Sequence, residues 1–401
     1  MRKRIFFSVC VLLGVFCARA GADEQAINLS DQVAQEIRIA KPSTWVEKFQ
    51  SARNTFEDKY GTSFAVVANM QNPVSLASET NQGKYRSAWY YNVALEQRLW
   101  QGASTVFEVE GGNGKGIDKL LPTFSVLDGD AGEITAIYVT EFYLRQKFYD
   151  DKIYFVGGRM DLSDWCDTNE VANSSDLQFL SSSLVGNLTI PFPKKGLGAM
   201  FGVKPFEWLY FQTGASNANA SSTQIGVRRA FESTFFINEL GLTPKLGKLQ
   251  GKYRLISWVN RKKEDYLNGE GEKNVTTGFA LSFDQQITQK VSLFFRYGLA
   301  DGKVEAIENL WSTGGEIREL IPGRKTDVLG LGVNQSIFGS DYKKSRGENT
   351  AKAETIYELY YNFNLHPFVK IIPNLQVVTD PDAEKDICPD VVLGARVAVI
   401  I

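Results

Sequence analysis

From Thr62 onward, apolar side chains recur at every second position. In ETIYELYYNFNLHPFVKIIPNLQVV, residues 354–378, one row is Thr355, Tyr357, Leu359, Tyr361 and Phe363. The alternate row is Glu354, Ile356, Glu358, Tyr360 and Asn362. After His366-Pro367 the pattern resumes, with Val369, Ile371, Pro373, Leu375 and Val377 opposite Lys370, Ile372, Asn374 and Gln376. A period of two is the signature of strands, so this stretch is a hairpin. The same alternation predicts sixteen strands, at 62–70, 85–96, 103–110, 134–146, 152–160, 197–204, 208–215, 231–240, 250–259, 274–284, 290–298, 306–319, 325–336, 353–363, 368–378 and 391–401. Most span about 9–12 residues, the length of a tilted strand crossing a bilayer.

The connections come in two kinds that alternate along the chain. Tight ones (RLWQGA, FYDDK, VKPFEW, LTPKLGK, DQQITQK, LIPGRK, NLHPF) alternate with longer ones at 71–84, 111–133, 161–196, 216–230, 260–273, 299–305, 339–352 and 380–390. A soluble sandwich has no reason to gather its long loops at one end. An outer-membrane barrel does, with short periplasmic turns, long external loops and an even strand number.

Charges keep to one row. Lys252, Arg254 and Trp258 oppose Tyr253 and Leu255; Arg296 opposes Leu293, Phe295 and Tyr297; Glu141 and Arg145 oppose Phe142 and Leu144. A charge facing lipid at mid-membrane costs ~2–4 kcal/mol, which explains the segregation. The last strand follows suit, with Leu393, Ala395, Val397, Val399 and Ile401 outward and Arg396 inward. The predicted fold is therefore all-β: a single transmembrane antiparallel β-barrel of about 16 strands over 61–401, its polar row facing a water-filled lumen.

The N-terminus differs. MRKRIFFSVCVLLGVFCARAGA has a basic start, an apolar stretch and small residues, and is expected to be a signal peptide over 1–22. Its removal takes the net charge from −2 to −6. Residues 23–60 are polar, with Trp45, Phe49, Ala52 and Phe56 at helical spacing. They predict a short periplasmic helical segment, capped near Ser43 or Thr44.

Composition narrows the function. No run of ~18 apolar residues follows the leader, which excludes a helical membrane protein but not a barrel. The near-neutral charge offers nothing to nucleic acid. A single histidine, His366, in a tight turn leaves little for a histidine-based triad or metal site, so no enzyme, metal or cofactor is expected. EGGNGKG at 110–116 lacks the P-loop's first glycine and final hydroxyl, and is expected to be an external loop.

The longest loop, 161–196, is expected to fold into the lumen and narrow it, with an external flap as the alternative. Its polar candidates are Asp164, Asp167, Asn169, Glu170 and Asn173. Candidate pore-lining residues are Glu141, Arg145, Arg159, Asp161, Arg254, Trp258, Asp284, Arg296, Glu358 and Asn362. Cys166 and Cys388 both fall on external loops, where either a disulfide or two free thiols is open.

The stretches GGRMDLSDWCDTNEVANSSDLQFL, IPFPKKGLGAMFGVKPFEWLYFQTGASNANA, ELGLTPKLGKLQGKYRLISWVN, LSFDQQITQKVSLFFRYGLADG and IPGRKTDVLGLGV, with the hairpin above, resemble the carbohydrate-selective porins of the OprB type in their order. The resemblance covers about 153–400. It implies a sixteen-stranded outer-membrane channel for passive uptake of glucose and related sugars, with a monomer favoured over a trimer. Implied partners are carbohydrates, outer-membrane lipid and the barrel-assembly machinery. A general porin for small solutes and ions is the alternative. Arginine and carboxylate groups hydrogen-bond sugar hydroxyls and aromatic faces stack on sugar C–H faces, so the candidate residue types suit that cargo.

Overall fold

The computed structural model describes residues 44–129, 131, 136–221 and 232–401. The predicted leader and residues 23–43 lie outside the described residues.

Sixteen long strands form the barrel: β1 Thr62–Gln71, β2 Ala88–Trp100, β3 Ala103–Gly114, β4 Tyr138–Phe148, β5 Ile153–Met160, β6 Gly196–Phe206, β7 Leu209–Asn217, β8 Thr234–Leu242, β9 Leu249–Asn260, β10 Thr276–Gln286, β11 Val291–Leu299, β12 Ile307–Arg318, β13 Val328–Phe338, β14 Ala353–His366, β15 Val369–Thr379 and β16 Asp390–Ile400. Each pairs antiparallel with its sequence neighbour. β1 closes the ring on β16, from Val67↔Ile400 to Gln71↔Arg396, so the sheet has no free edge. Short strands add to the rims: Val74–Ala77 extends β16, and Glu264–Asp265 pairs with Glu272–Lys273 in an external hairpin.

The alternation read from the sequence is the alternation of the wall. In β14, Ile356, Glu358 and Tyr360 are buried, while Tyr357 and Leu359 are 49% and 40% exposed. The exposed outer row continues around the barrel through Phe142, Phe155, Phe211, Leu255, Phe295 and Leu393.

One expectation is corrected. EGGNG is not a loop: β3 runs through Gly114, paired with β2 as far as Ala88. The glycines make this fit. A Cβ at Gly111 would lie 2.6 Å from the Tyr91 hydroxyl, and one at Gly112 would lie 2.5 Å from the Trp89 carbonyl.

Helix α1, Thr44–Tyr60, crosses the short-turn end of the barrel. Its buried face is Val46, Arg53 and Glu57, not the Trp45–Ala52–Phe56 stripe that marked the helix in the sequence. Trp45 stacks on His366 at 5.7 Å, and Phe49 meets Phe368 edge-on at 5.7 Å. The Arg53 guanidinium bonds the Phe64 carbonyl, and Arg98 donates to the Glu57 carbonyl at 2.8 Å. The helix thus ties the β14–β15 turn to β1 and β2.

Candidate functional site

The segment between β5 and β6 lies inside the barrel, and residues 171–181 are buried throughout. Its two ends converge on β3 and β4. Asp161 caps a short helical turn at Leu162–Asp164, accepting from Ser163 N at 2.9 Å, and its own N–H donates to Glu141 Oε1 at 3.2 Å. Lys195, at the exit, places Nζ 2.7 Å from Glu108 Oε1, 2.8 Å from Glu110 Oε1 and 3.6 Å from Glu141 Oε1. A bulge beside Glu108 breaks the alternation here, so Thr140 turns in as well and donates to Glu108 Oε1 at 2.9 Å. Among these acids, burial with Glu141 and Asp161 alongside holds the Asp164 carboxyl well above the usual carboxylate range.

Between its ends the loop is held by most of the wall. Arg296 of β11 donates to Asp167 Oδ1 at 3.2 Å, to the Ala172 carbonyl at 2.7 Å and to the Leu184 carbonyl at 3.0 Å. Glu170 pairs with Lys252, and beside it Arg254 meets Asp284 at 2.7 Å. Asn169 donates to the Phe283 carbonyl at 3.1 Å while its oxygen accepts from Val171 N at 3.0 Å. Glu358 accepts from the N–H groups of Leu180 at 2.6 Å and Ser181 at 2.9 Å. Asn362 donates to the Leu177 carbonyl at 3.0 Å, and the Asn173 N–H to Gln178 Oε1 at 2.7 Å. Arg396 of β16 bonds the carbonyls of Ser175 and Gln178, and Asp176 accepts from Asn69 of β1 and Tyr90 of β2.

This arrangement corrects the pore-lining assignment. Glu141, Arg254, Arg296 and Glu358 are fully buried and Trp258 nearly so, because the loop and neighbouring side chains cover them. Glu141, Arg296 and Glu358 hold the loop in place, Arg254 pairs with Asp284 in the wall and Trp258 covers Gly278, and none of them presents a surface to a solute. Arg145 pairs with Glu96 at 2.5 Å, toward the short-turn end. Arg159 is in register with the outward residues Phe142 and Leu197, next to Gly158 at φ +147°, and its guanidinium donates to the carbonyls of Thr140 at 3.0 Å and Ser221 at 3.2 Å. It belongs to the rim. The cysteines are not joined: Cys166 is buried within the loop, 3.7 Å from Gln212 Nε2, while Cys388 is exposed on the last external loop. Burial, with Glu239 and Asp167 nearby, pushes the Cys166 thiol well up.

Two features escaped the sequence reading. A second loop also folds in: Glu354 accepts from Phe124 N at 3.0 Å, Ser125 N at 2.7 Å and Ser125 Oγ at 2.6 Å. Ser182 N then bonds the Val126 carbonyl at 3.0 Å, joining the two loops. Only the inward carboxylate of Glu354 hinted at this, and it looks like every other charge on its row. The second feature is the pairing of aromatic rings with inner-wall glycines. Trp258 lies over Gly278, where a Cβ would meet its ring at 2.2 Å, and Tyr360 lies over Gly330 in the same way. Trp165, half-buried on the loop, stacks on Tyr154 with centroids 5.6 Å apart.

Residues 98–399 match the family described as carbohydrate-selective porin, OprB family. This chain belongs to that family. Porin B from Pseudomonas aeruginosa is 24% identical over 367 residues, covering 76% of this chain and 79% of that protein. Porin AaxA from Chlamydia abortus is 23% identical over 226 residues, covering 56% of this chain and 49% of the relative. The chain thus spans about half the length of the chlamydial relatives it matches. Among solved structures, the high-pH structure of Pseudomonas putida OprB superposes with a TM-score of 0.78 at 17% identity, covering 88% of this chain and 97% of that one. The outer-membrane channel DcaP of Acinetobacter baumannii superposes with a TM-score of 0.54 at 9% identity, covering 85% of this chain and 97% of that one. The OprB-family barrel described above is a bacterial outer-membrane barrel.

Proposed function

We propose that this porin passes sugars down their gradient into the periplasm, along the path left between the inward loops and the wall. The observation that carries the reading is the anchoring of residues 161–195 inside the lumen, at both ends and along their length, by buried ion pairs and hydrogen bonds. A loop held this way keeps fixed polar groups along the path, which suits a neutral, many-hydroxyl solute better than a mobile flap would. Trp165 offers a ring for sugar C–H faces, and Glu170, whose side chain keeps some exposure beside Lys252, offers a carboxylate for hydroxyls. Movement is downhill and draws on no cofactor.

The test is single-channel conductance of the refolded barrel in a planar bilayer, titrated with glucose and with a disaccharide. Saturable block supports the reading, with Trp165→Ala weakening block more than it alters open conductance. Current indifferent to sugar would leave a general porin for small solutes and ions.

A further inference from the structure

Helix α1 carries a second organised face that the barrel does not use. Phe56 and Tyr60 are 45% and 53% exposed, while Trp45 stacks on His366 and belongs to the docked side. With Lys48, Ala52 and Lys59, Phe56 and Tyr60 form one stripe, because positions 48, 52, 56 and 59 follow the helical repeat and the Tyr60 ring lies 4.9 Å from that of Phe56. The stripe frames a shallow depression of about 520 Å³ lined by helix residues alone, among them Lys48, Phe56, Lys59 and Tyr60. The acidic residues Glu47 and Asp58 sit on a different face, so the stripe is both apolar and cationic.

We infer that this face binds anionic phospholipid headgroups of the periplasmic leaflet. The helix lies at the short-turn end of the barrel, where that leaflet meets the wall. Tyr60 accepts through its carbonyl from Gln97 at 3.2 Å, on the strand that ends in the exposed Leu99 and Trp100. The stripe therefore continues the exposed apolar rim of the barrel wall at Leu99 and Trp100. Trp and Tyr rings favour the headgroup level, and lysines add attraction to anionic lipid. A protein partner fits less well. One face of this 17-residue helix is roughly 25 Å long and offers about 250 Å², against the ~800 Å² per partner of a stable interface.

The test uses the full barrel in nanodiscs, in a Cys388→Ser background with Ala52→Cys carrying a bimane label. The nanodiscs contain phosphatidylcholine alone or with phosphatidylglycerol, each doped with headgroup-proximal spin-labelled lipid. The expected result is lipid-borne quenching that strengthens several-fold with phosphatidylglycerol and at low salt. The Lys48→Glu/Lys59→Glu pair should abolish that increase while single-channel conductance stays unchanged. Quenching that ignores lipid charge would overturn the inference. So would a label that becomes lipid-sensitive only after residues 23–43 are deleted, since that segment would then be the occupant. Loss of quenching together with a larger assembly mass would assign the face to a second copy instead. None of these outcomes depends on sugar passage, so the two readings fail separately.

Discussion

Arg296 and Asp167 form an ion pair inside the barrel, Nε to Oδ1 3.2 Å, with both side chains almost wholly excluded from solvent. The same guanidinium binds three loop carbonyls, at Ala172, Leu184 and Asp167. One arginine on β11 therefore fixes the loop at three separate points. Removing one partner of a buried pair costs about 3–5 kcal/mol, because the other charge is left uncompensated. Arg296→Met is expected to release the loop, which raises open-channel conductance and weakens sugar block. Unchanged current and block would show that the remaining anchors suffice.

Lys195 offers a sharper test, because it faces three carboxylates at the loop's base. In Lys195→Met those acids repel one another and the base opens, so current noise should rise at pH 8. Acidification protonates the acids and should quiet the channel, while Lys195→Arg should behave as the unaltered chain at both pH values. Noise independent of pH would remove the electrostatic account. The recording that decides this is a single-channel trace at pH 8 and pH 5.

Glu57 gives α1 its own pH dependence. Burial pushes its carboxyl up to about 7, against a smaller opposing effect of Arg98 and Arg53. The docked form thus holds a proton that the undocked form releases from pH 4.5 upward. Docking is expected to be tightest at and below pH 4.5, to weaken as pH rises toward about 7, and to change little above that. Hydrogen exchange of residues 44–60, corrected for intrinsic rate, should show this trend, and Glu57→Gln should flatten it.

The thiols should differ in reactivity. Cys388 is exposed and Cys166 buried, so a membrane-impermeant maleimide is expected to label Cys388 on intact cells. Cys166 should react only after unfolding. Protection of both residues until reduction would restore a disulfide.

The wall is specified by alternation alone. All sixteen strands were legible, because a strand facing lipid on one side and a polar interior on the other must alternate at every residue, and turn residues mark where it ends. The tight and long connections likewise sorted themselves onto opposite rims. The boundary at 110–116 was misjudged because glycines that admit Tyr91 and Tyr90 look like loop glycines until the facing strand is known. The inner site was different. Glu358 meets Leu180 across 178 positions, and Arg396 meets Ser175 across 221. Alternation says that these side chains point inward, yet it carries no information on what lies over them. Only the folded chain decided that Arg254, Arg296, Glu358 and Trp258 would be covered, and that Arg296 and Glu358 would serve as anchors. A buried charge needs a partner, and here the partners arrive on two loops whose path the strand pattern does not encode.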